Sequence, residues 1–219
     1  MKTLFPICLI AGLIVLSSSC KTPSKNKSRE SFPVESKIDS SSTSPDSANE
    51  LSTLRLASYL NQAIKYAQQN GYSTEYCFLI DMGICSGKNR FFVYDIMKNV
   101  VASYGLVAHG NCNTHFLEQA KFSNTPNCGC SSLGKYKVGV AYRGEFGKSY
   151  RLYGLDSTNS NAFKRAIVLH SFGPVPDDEI YPKVLCNSFG CPMVSRTFLN
   201  KLSEIIDRSK KPILLWIYN

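Results

Sequence analysis

The sequence predicts a mainly β fold with peripheral α-helices, and three observations predict it. Seven short segments rich in β-branched and aromatic residues are separated by Gly, Asn, Ser or Asp, the pattern of strands joined by tight connections. Two longer segments, one ahead of the strands and one near the end of the chain, repeat apolar residues at three- and four-residue spacing, as helices do. Of the 219 residues, 43% are hydrophobic and 19% charged, which is enough apolar material for a packed core and excludes a wholly disordered or collagen-like polymer.

Residues 1–19 have a positive start, an apolar run from Leu4 to Leu16 and three serines before Cys20, the layout of a signal peptide. The apolar run is too short for the roughly 20 residues a membrane-spanning helix needs, so export with cleavage is the expectation. Cys20 directly after small residues resembles a bacterial lipobox, which implies that Cys20 is lipidated and becomes the first mature residue. Residues 20–50 then read as a lipidated cysteine and a disordered tether: nine serines and a single aromatic, Phe32, fall in 21–50, too little apolar surface to offset the entropy of ordering. Residues 51–75 hold an amphipathic helix over 51–70, with apolar residues at 51, 54, 56, 60, 64 and 67 and Gly71 as its stop. Residues 76–219 hold the strands, expected at 76–80, 90–96, 100–107, 136–142, 149–155, 166–170 and 212–218, and a helix at about 197–208. Lys98-Asn99 and the Gly144/Gly147 pair mark tight turns.

From Leu51 onward there are 19 basic and 11 acidic side chains, so nearly all the basic excess belongs to the folded part. In an exported chain that charge favours cell-wall polymers or lipid head groups and argues against nucleic acid. No glycine loop of the dinucleotide or phosphate-binding kind is present.

His170 ends the apolar run Ala166-Ile-Val-Leu, and Ser188-Phe-Gly-Cys191-Pro follows. Cysteine catalysis needs a thiolate, and an imidazole beside it takes the thiol proton and later protonates a leaving amine. A glycine before the nucleophile allows a tight turn that aims backbone N–H groups at a developing oxyanion. By spacing alone, a half-cystine at a turn and a structural strand-end histidine are the commoner readings of these residues.

His170-Ser171 followed by Ser188-x-Gly190-Cys191 resembles the signature of the L,D-transpeptidase catalytic domain (YkuD-type) in a divergent form. Phe78-Leu-Ile-Asp81, Val107-Ala-His-Gly110, Ser131-Ser-Leu-Gly134 and Arg151-Leu-Tyr-Gly-Leu155 are similar to that family in the same order, so the resemblance spans about residues 76–219. It implies a β-sandwich or open barrel and a murein L,D-transpeptidase acting on peptidoglycan stem tetrapeptides without metal or organic cofactor. Cys191 would be the nucleophile and His170 the general base and acid, oriented by the Ser171 carbonyl. Gly190 and Cys191 would offer oxyanion N–H groups, and Ser188 would shape the loop. The thioester would pass to a neighbouring stem peptide, giving a 3-3 cross-link, or to water, releasing terminal D-Ala overall. The expected setting is the bacterial envelope, with a monomer held by its lipid on the outer membrane and facing the periplasm.

Phe189 stands where the family usually has histidine, and Pro192-Met193 where many members have an apolar residue and then Asn or Arg. His109 is therefore a candidate to restore an imidazole, and Arg151 and Arg165 are candidates for a substrate carboxylate. A non-catalytic cell-wall-binding lipoprotein that keeps the fold is the alternative. Seven cysteines remain after Cys8 and Cys20; with Cys191 free, six are available for three disulfides, and Cys112 is expected to pair with Cys128 or Cys130. A zinc site built on Cys128-x-Cys130 is the weakest reading, because its spacing is unusual.

Overall fold

The structure, a computed structural model, describes residues 45–219, with side chains from Glu50 onward. The expected signal peptide, the lipidated Cys20 and the tether as far as residue 44 lie outside the described residues. Helix α1 (Pro45–Gln69) begins upstream of its expected start at Leu51 and so takes in the end of the expected tether. Proline is at home there, since the first turn of a helix needs no N–H from it. Gly71 ends the helix at φ +75°, a left-handed conformation that favours glycine, and the Tyr72 N–H reaches back to the Ala67 carbonyl at 3.1 Å.

Eight strands follow: β1 (Tyr76–Asp81), β2 (Phe91–Asp95), β3 (Val100–Gly105), β4 (Gly134–Gly144), β5 (Gly147–Gly154), β6 (Val168–Ser171), β7 (Met193–Val194) and β8 (Leu214–Tyr218). They form one sheet in the order β3-β2-β1-β8-β4-β5-β6-β7. The two-residue β7 was not expected, because two residues are too few to show alternation. Asn99, at φ +56°, turns the β2–β3 hairpin and accepts from the Tyr94 hydroxyl at 2.6 Å; Gly144 faces Gly147 at the β4–β5 turn. Beyond β3, the Ala108 N–H donates to the Met193 carbonyl at 2.8 Å, so the two ends of the sheet approach and the barrel is nearly closed. Of the two expected forms, sandwich and open barrel, the single sheet takes the second.

Alternation along the strands gives the sheet two apolar faces. Phe78, Ile80, Phe91, Val93, Leu152 and Leu215 pack on one side with Phe198, Leu199 and Leu202 of helix α2 (Arg196–Arg208). Ser195 caps α2 by accepting from the Phe198 N–H at 3.0 Å. Cys77, Leu79 and Leu214 pack on the other side under Ala63 and Ala67 of α1. There Tyr59 stacks on Tyr218 with ring centroids 3.9 Å apart, and Arg55 Nε donates to the buried Asp81 at 3.0 Å.

Candidate active site

The near-closure of the sheet assembles the site. In the parallel pairing of β6 with β7, His170 lies opposite Met193, and Met193 in turn bridges Ala108. Two residues before Met193, Cys191 accepts from the Val168 N–H at its Sγ, 3.4 Å away. Val168 and His170 are two apart on β6, so they point to the same side, and the thiol sits beside the strand that carries the imidazole.

His170 is buried, and its Nδ1 lies 3.1 Å from the Ser171 carbonyl. A carbonyl only accepts, so Nδ1 carries the proton and Nε2 keeps a lone pair. Phe146, at the tip of the β4–β5 hairpin, stacks on the ring with centroids 4.4 Å apart. Burial lowers the His170 pKa from its ordinary 6.5, and burial raises that of the half-buried Cys191 above its ordinary 9, partly opposed by the Val168 N–H and by Arg165. Both groups are therefore neutral at rest near pH 7.

The loop around Cys191 is fixed by its own atoms. Ser188 is buried. Its N–H donates to the His109 carbonyl, its carbonyl accepts from the Asn111 N–H, both at 2.8 Å, and its Oγ accepts from the Gly190 N–H at 3.0 Å. That last bond corrects the expectation of two oxyanion donors: the Gly190 N–H is engaged within the loop. Gly190 itself is required, since it has φ +112° and a Cβ there would lie 2.6 Å from the Cys130 carbonyl oxygen.

His109 is also corrected. It is 1% exposed, with Arg90 Nη2 2.9 Å from Nδ1 and Nε2 3.2 Å from the Leu117 carbonyl, so neither nitrogen faces a substrate. Its role is to brace the loops that carry Leu117 and Ser188. Burial and the Arg90 charge push its pKa down to about 4. A histidine whose folded pKa lies below its unfolded value near 6.5 contributes stability that is complete above pH 6.5 and is lost as pH falls toward 4. We expect denaturant titrations to show a loss on the order of 3 kcal/mol across that window, and His109→Gln to flatten the slope.

The two candidate arginines differ. Arg165 is spent inside the protein: Nη1 donates to the Ser123 carbonyl at 3.0 Å and to Ser132 Oγ, and Nη2 donates to the Cys130 carbonyl. It therefore backs the loop of Cys191 and does not reach for a carboxylate. Arg151 lies opposite Val168 on β5, half-exposed, with its guanidinium 5.0 Å from the Tyr142 ring centroid and 5.5 Å from that of Phe163. His115 is exposed, and Phe189 projects to solvent at 79% exposure.

The cysteine arithmetic is corrected as well. Cys112 pairs with Cys130, one of its two expected partners, but among the described residues that is the only disulfide, and Cys77, Cys85, Cys128, Cys186 and Cys191 are free. Cys77 is sealed under α1, where burial pushes its thiol up to about 12. With Cys130 consumed, the zinc reading built on Cys128-x-Cys130 loses a ligand. Sequence reasoning missed Phe146 and Ser131. Ser131 Oγ accepts from the Gly110 N–H at 3.0 Å and donates to the Gly190 carbonyl at 3.4 Å, tying both loops together. The Ser131-Ser132 pair was a visible motif without a role, whereas nothing in the sequence around Phe146 signals that it covers the histidine.

The nearly closed barrel thus holds a cysteine on a glycine turn against the strand that carries a tautomer-fixed histidine. A profile of the L,D-transpeptidase catalytic domain (YkuD_2) matches residues 47–218, and the chain belongs to that family. A search of curated proteins finds no match. Among solved structures, the chain is similar to an L,D-transpeptidase from Xylanimonas cellulosilytica at 13% identity, covering 68% of this chain and 62% of that one, with a TM-score of 0.39. It is similar to the helical cell shape determining protein Pgp2 from Campylobacter jejuni at 13% identity, covering 68% and 50%, with a TM-score of 0.41. An L,D-transpeptidase from Mycobacterium smegmatis matches at 11% identity, covering 66% and 59%, with a TM-score of 0.39. The chain thus spans 50–62% of the length of these structures.

Proposed function

We propose that the chain is a cysteine acyltransferase that acts on peptidoglycan stem tetrapeptides. The observation that carries this is the Cys191–His170 arrangement, with the thiol beside β6 and Nε2 of a fixed tautomer left as the base. As Sγ attacks the carbonyl before the terminal D-Ala, His170 Nε2 takes the thiol proton and the Cys191 N–H donates to the oxyanion. Collapse breaks the bond to D-Ala, and His170 returns the proton to the leaving amine, so a neutral amine departs from a thioester. An amine of a second stem peptide, or water, then attacks; His170 takes its proton, and Sγ leaves to recover that proton.

Arg151 is the candidate cation that no hydrogen bond or ion pair engages among the described residues, and it stands opposite the Val168 whose N–H meets the thiol. It would bind a substrate carboxylate through two parallel N–H groups. Arg151→Lys is expected to raise KM roughly tenfold with kcat within about twofold, since a point charge replaces a planar fork. An equal fall in kcat with unchanged KM would remove Arg151 from substrate binding.

The test of the whole proposal is incubation with a disaccharide tetrapeptide, with and without an acceptor stem peptide, followed by product separation. Release of D-Ala together with a cross-linked dimer is the expected result; release alone would make the chain a carboxypeptidase, and no release would favour a wall-binding protein that keeps the fold. The placement that goes with this proposal is a monomer in the bacterial envelope, carried by a lipid on Cys20 and facing the periplasm.

A further inference from the structure

Among the described residues, the longest strand carries an edge that no strand covers beyond Val138. β4 pairs with β8 only from Gly134 to Lys137, with one further bond from the Val138 N–H to the Ile213 carbonyl at 3.0 Å. From Gly139 to Gly144 it has β5 on one side and, among the described residues, no strand on the other. That free edge lines a cavity of about 510 Å³ whose far wall is the C-terminal turn of α2 and the segment from Ser209 to Ile213. The register shifts between Val138 and Ala141, which turns Val140 out to 85% exposure. The groove is not a loose gap: a Cβ on Gly139 would lie 2.7 Å from the Tyr153 ring, so the bulged backbone rests directly on that ring.

Three lysines, Lys137, Lys210 and Lys211, line the groove, and among the described residues none of them has an ion-pair partner. The one carboxylate there, Asp207, is already held by Lys148 and by the Tyr150 hydroxyl. An open strand edge recruits an extended peptide through main-chain hydrogen bonds. A bulge and flanking lysines deter pairing with a second copy of the chain, because each copy brings the same charges, but they attract a strand of opposite sign.

We infer that this groove docks an extended acidic peptide as an added strand on β4, with Val140 taking an apolar side chain and the three lysines taking carboxylates. The site is independent of the acyl-transfer proposal and stands whether or not Cys191 turns over. The experiment titrates the full chain into a fluorescent hexapeptide of alternating Glu and Val with blocked termini. Saturable binding is expected, weakened about tenfold by Lys137→Gln with Lys210→Gln and Lys211→Gln, and by the same margin when Gln replaces Glu in the peptide. A peptide N-methylated at alternate residues loses binding, whereas Cys191→Ala binds as the parent does. Equal binding of the Gln peptide or of the N-methylated peptide overturns the inference, as does a folded triple variant with unchanged affinity. Polyphosphate displacing the peptide while tolerating N-methylation would make the groove a plain anion patch, and a dimer that excludes the peptide would assign the edge to a second copy. Each of these two results also overturns it. Because the peptide arms need no variant, the outcome does not depend on the triple variant folding.

Discussion

Cys191→Ala is expected to lower D-Ala release from a stem tetrapeptide by at least roughly three orders of magnitude while leaving the protein folded. The thiol is half-buried and its described contacts are slight, the Val168 N–H at 3.4 Å and the Ala166 carbonyl at 3.9 Å, so alanine removes little packing. What it removes is the sulfur to which the proposal assigns the thioester. The proposed reaction also predicts a pH profile for the parent protein. Burial holds the His170 pKa below its ordinary 6.5, so the imidazole stays a competent base to a lower pH than a free histidine. The acid limb of kcat/KM should therefore fall below pH 6.5; a limb above that value would mean that the imidazolium is stabilised and the resting pair is ionic.

Arg90→Met is expected to cost on the order of 3–5 kcal/mol and to lower Tm by roughly 10 °C. Arg90 is 1% exposed, and its guanidinium satisfies a set of acceptors at once: Nε and Nη2 donate to the Val107 carbonyl at 3.0 and 2.7 Å, Nη1 to the Ile84 carbonyl at 3.0 Å, and Nη2 to His109 at 2.9 Å. Methionine fills much of the volume but leaves those acceptors buried and unpaired. Lysine is not expected to rescue the loss, because one ammonium cannot reproduce the fork. Thermal melts of the two variants check this, and a loss under 1 kcal/mol would show that the region relaxes around the missing group. Through His109, the same change loosens Leu117 and the loop of Ser188, so activity should fall along with stability.

What the sequence made legible was local. The strands of alternating Phe, Leu, Ile and Val, the Gly71 stop and the Asn99 turn are set by neighbours in the chain, and they appear close to their expected places. The His170-Ser171 pair is also local, since the carbonyl that fixes the imidazole is one residue away. The corrections come from long-range contacts. His109 looked available because nothing nearby in the chain reveals that Arg90, just ahead of β2, is aimed at it; Arg165 looked free for a carboxylate because its acceptors at 123, 130 and 132 reach it only when the loop folds back. Cysteine parity failed for a similar reason, since counting cannot see that Cys77 points under a helix.

The most direct measurement is the intact mass of the protein, followed by peptide mapping, after brief exposure to an excess of stem tetrapeptide with acid quenching. A transient gain equal to the tetrapeptide less D-Ala, mapped to Cys191 and absent in Cys191→Ala, is the predicted result. No adduct while D-Ala is released, an adduct on another of the free cysteines, or Cys191 found in a disulfide in active protein would contradict it.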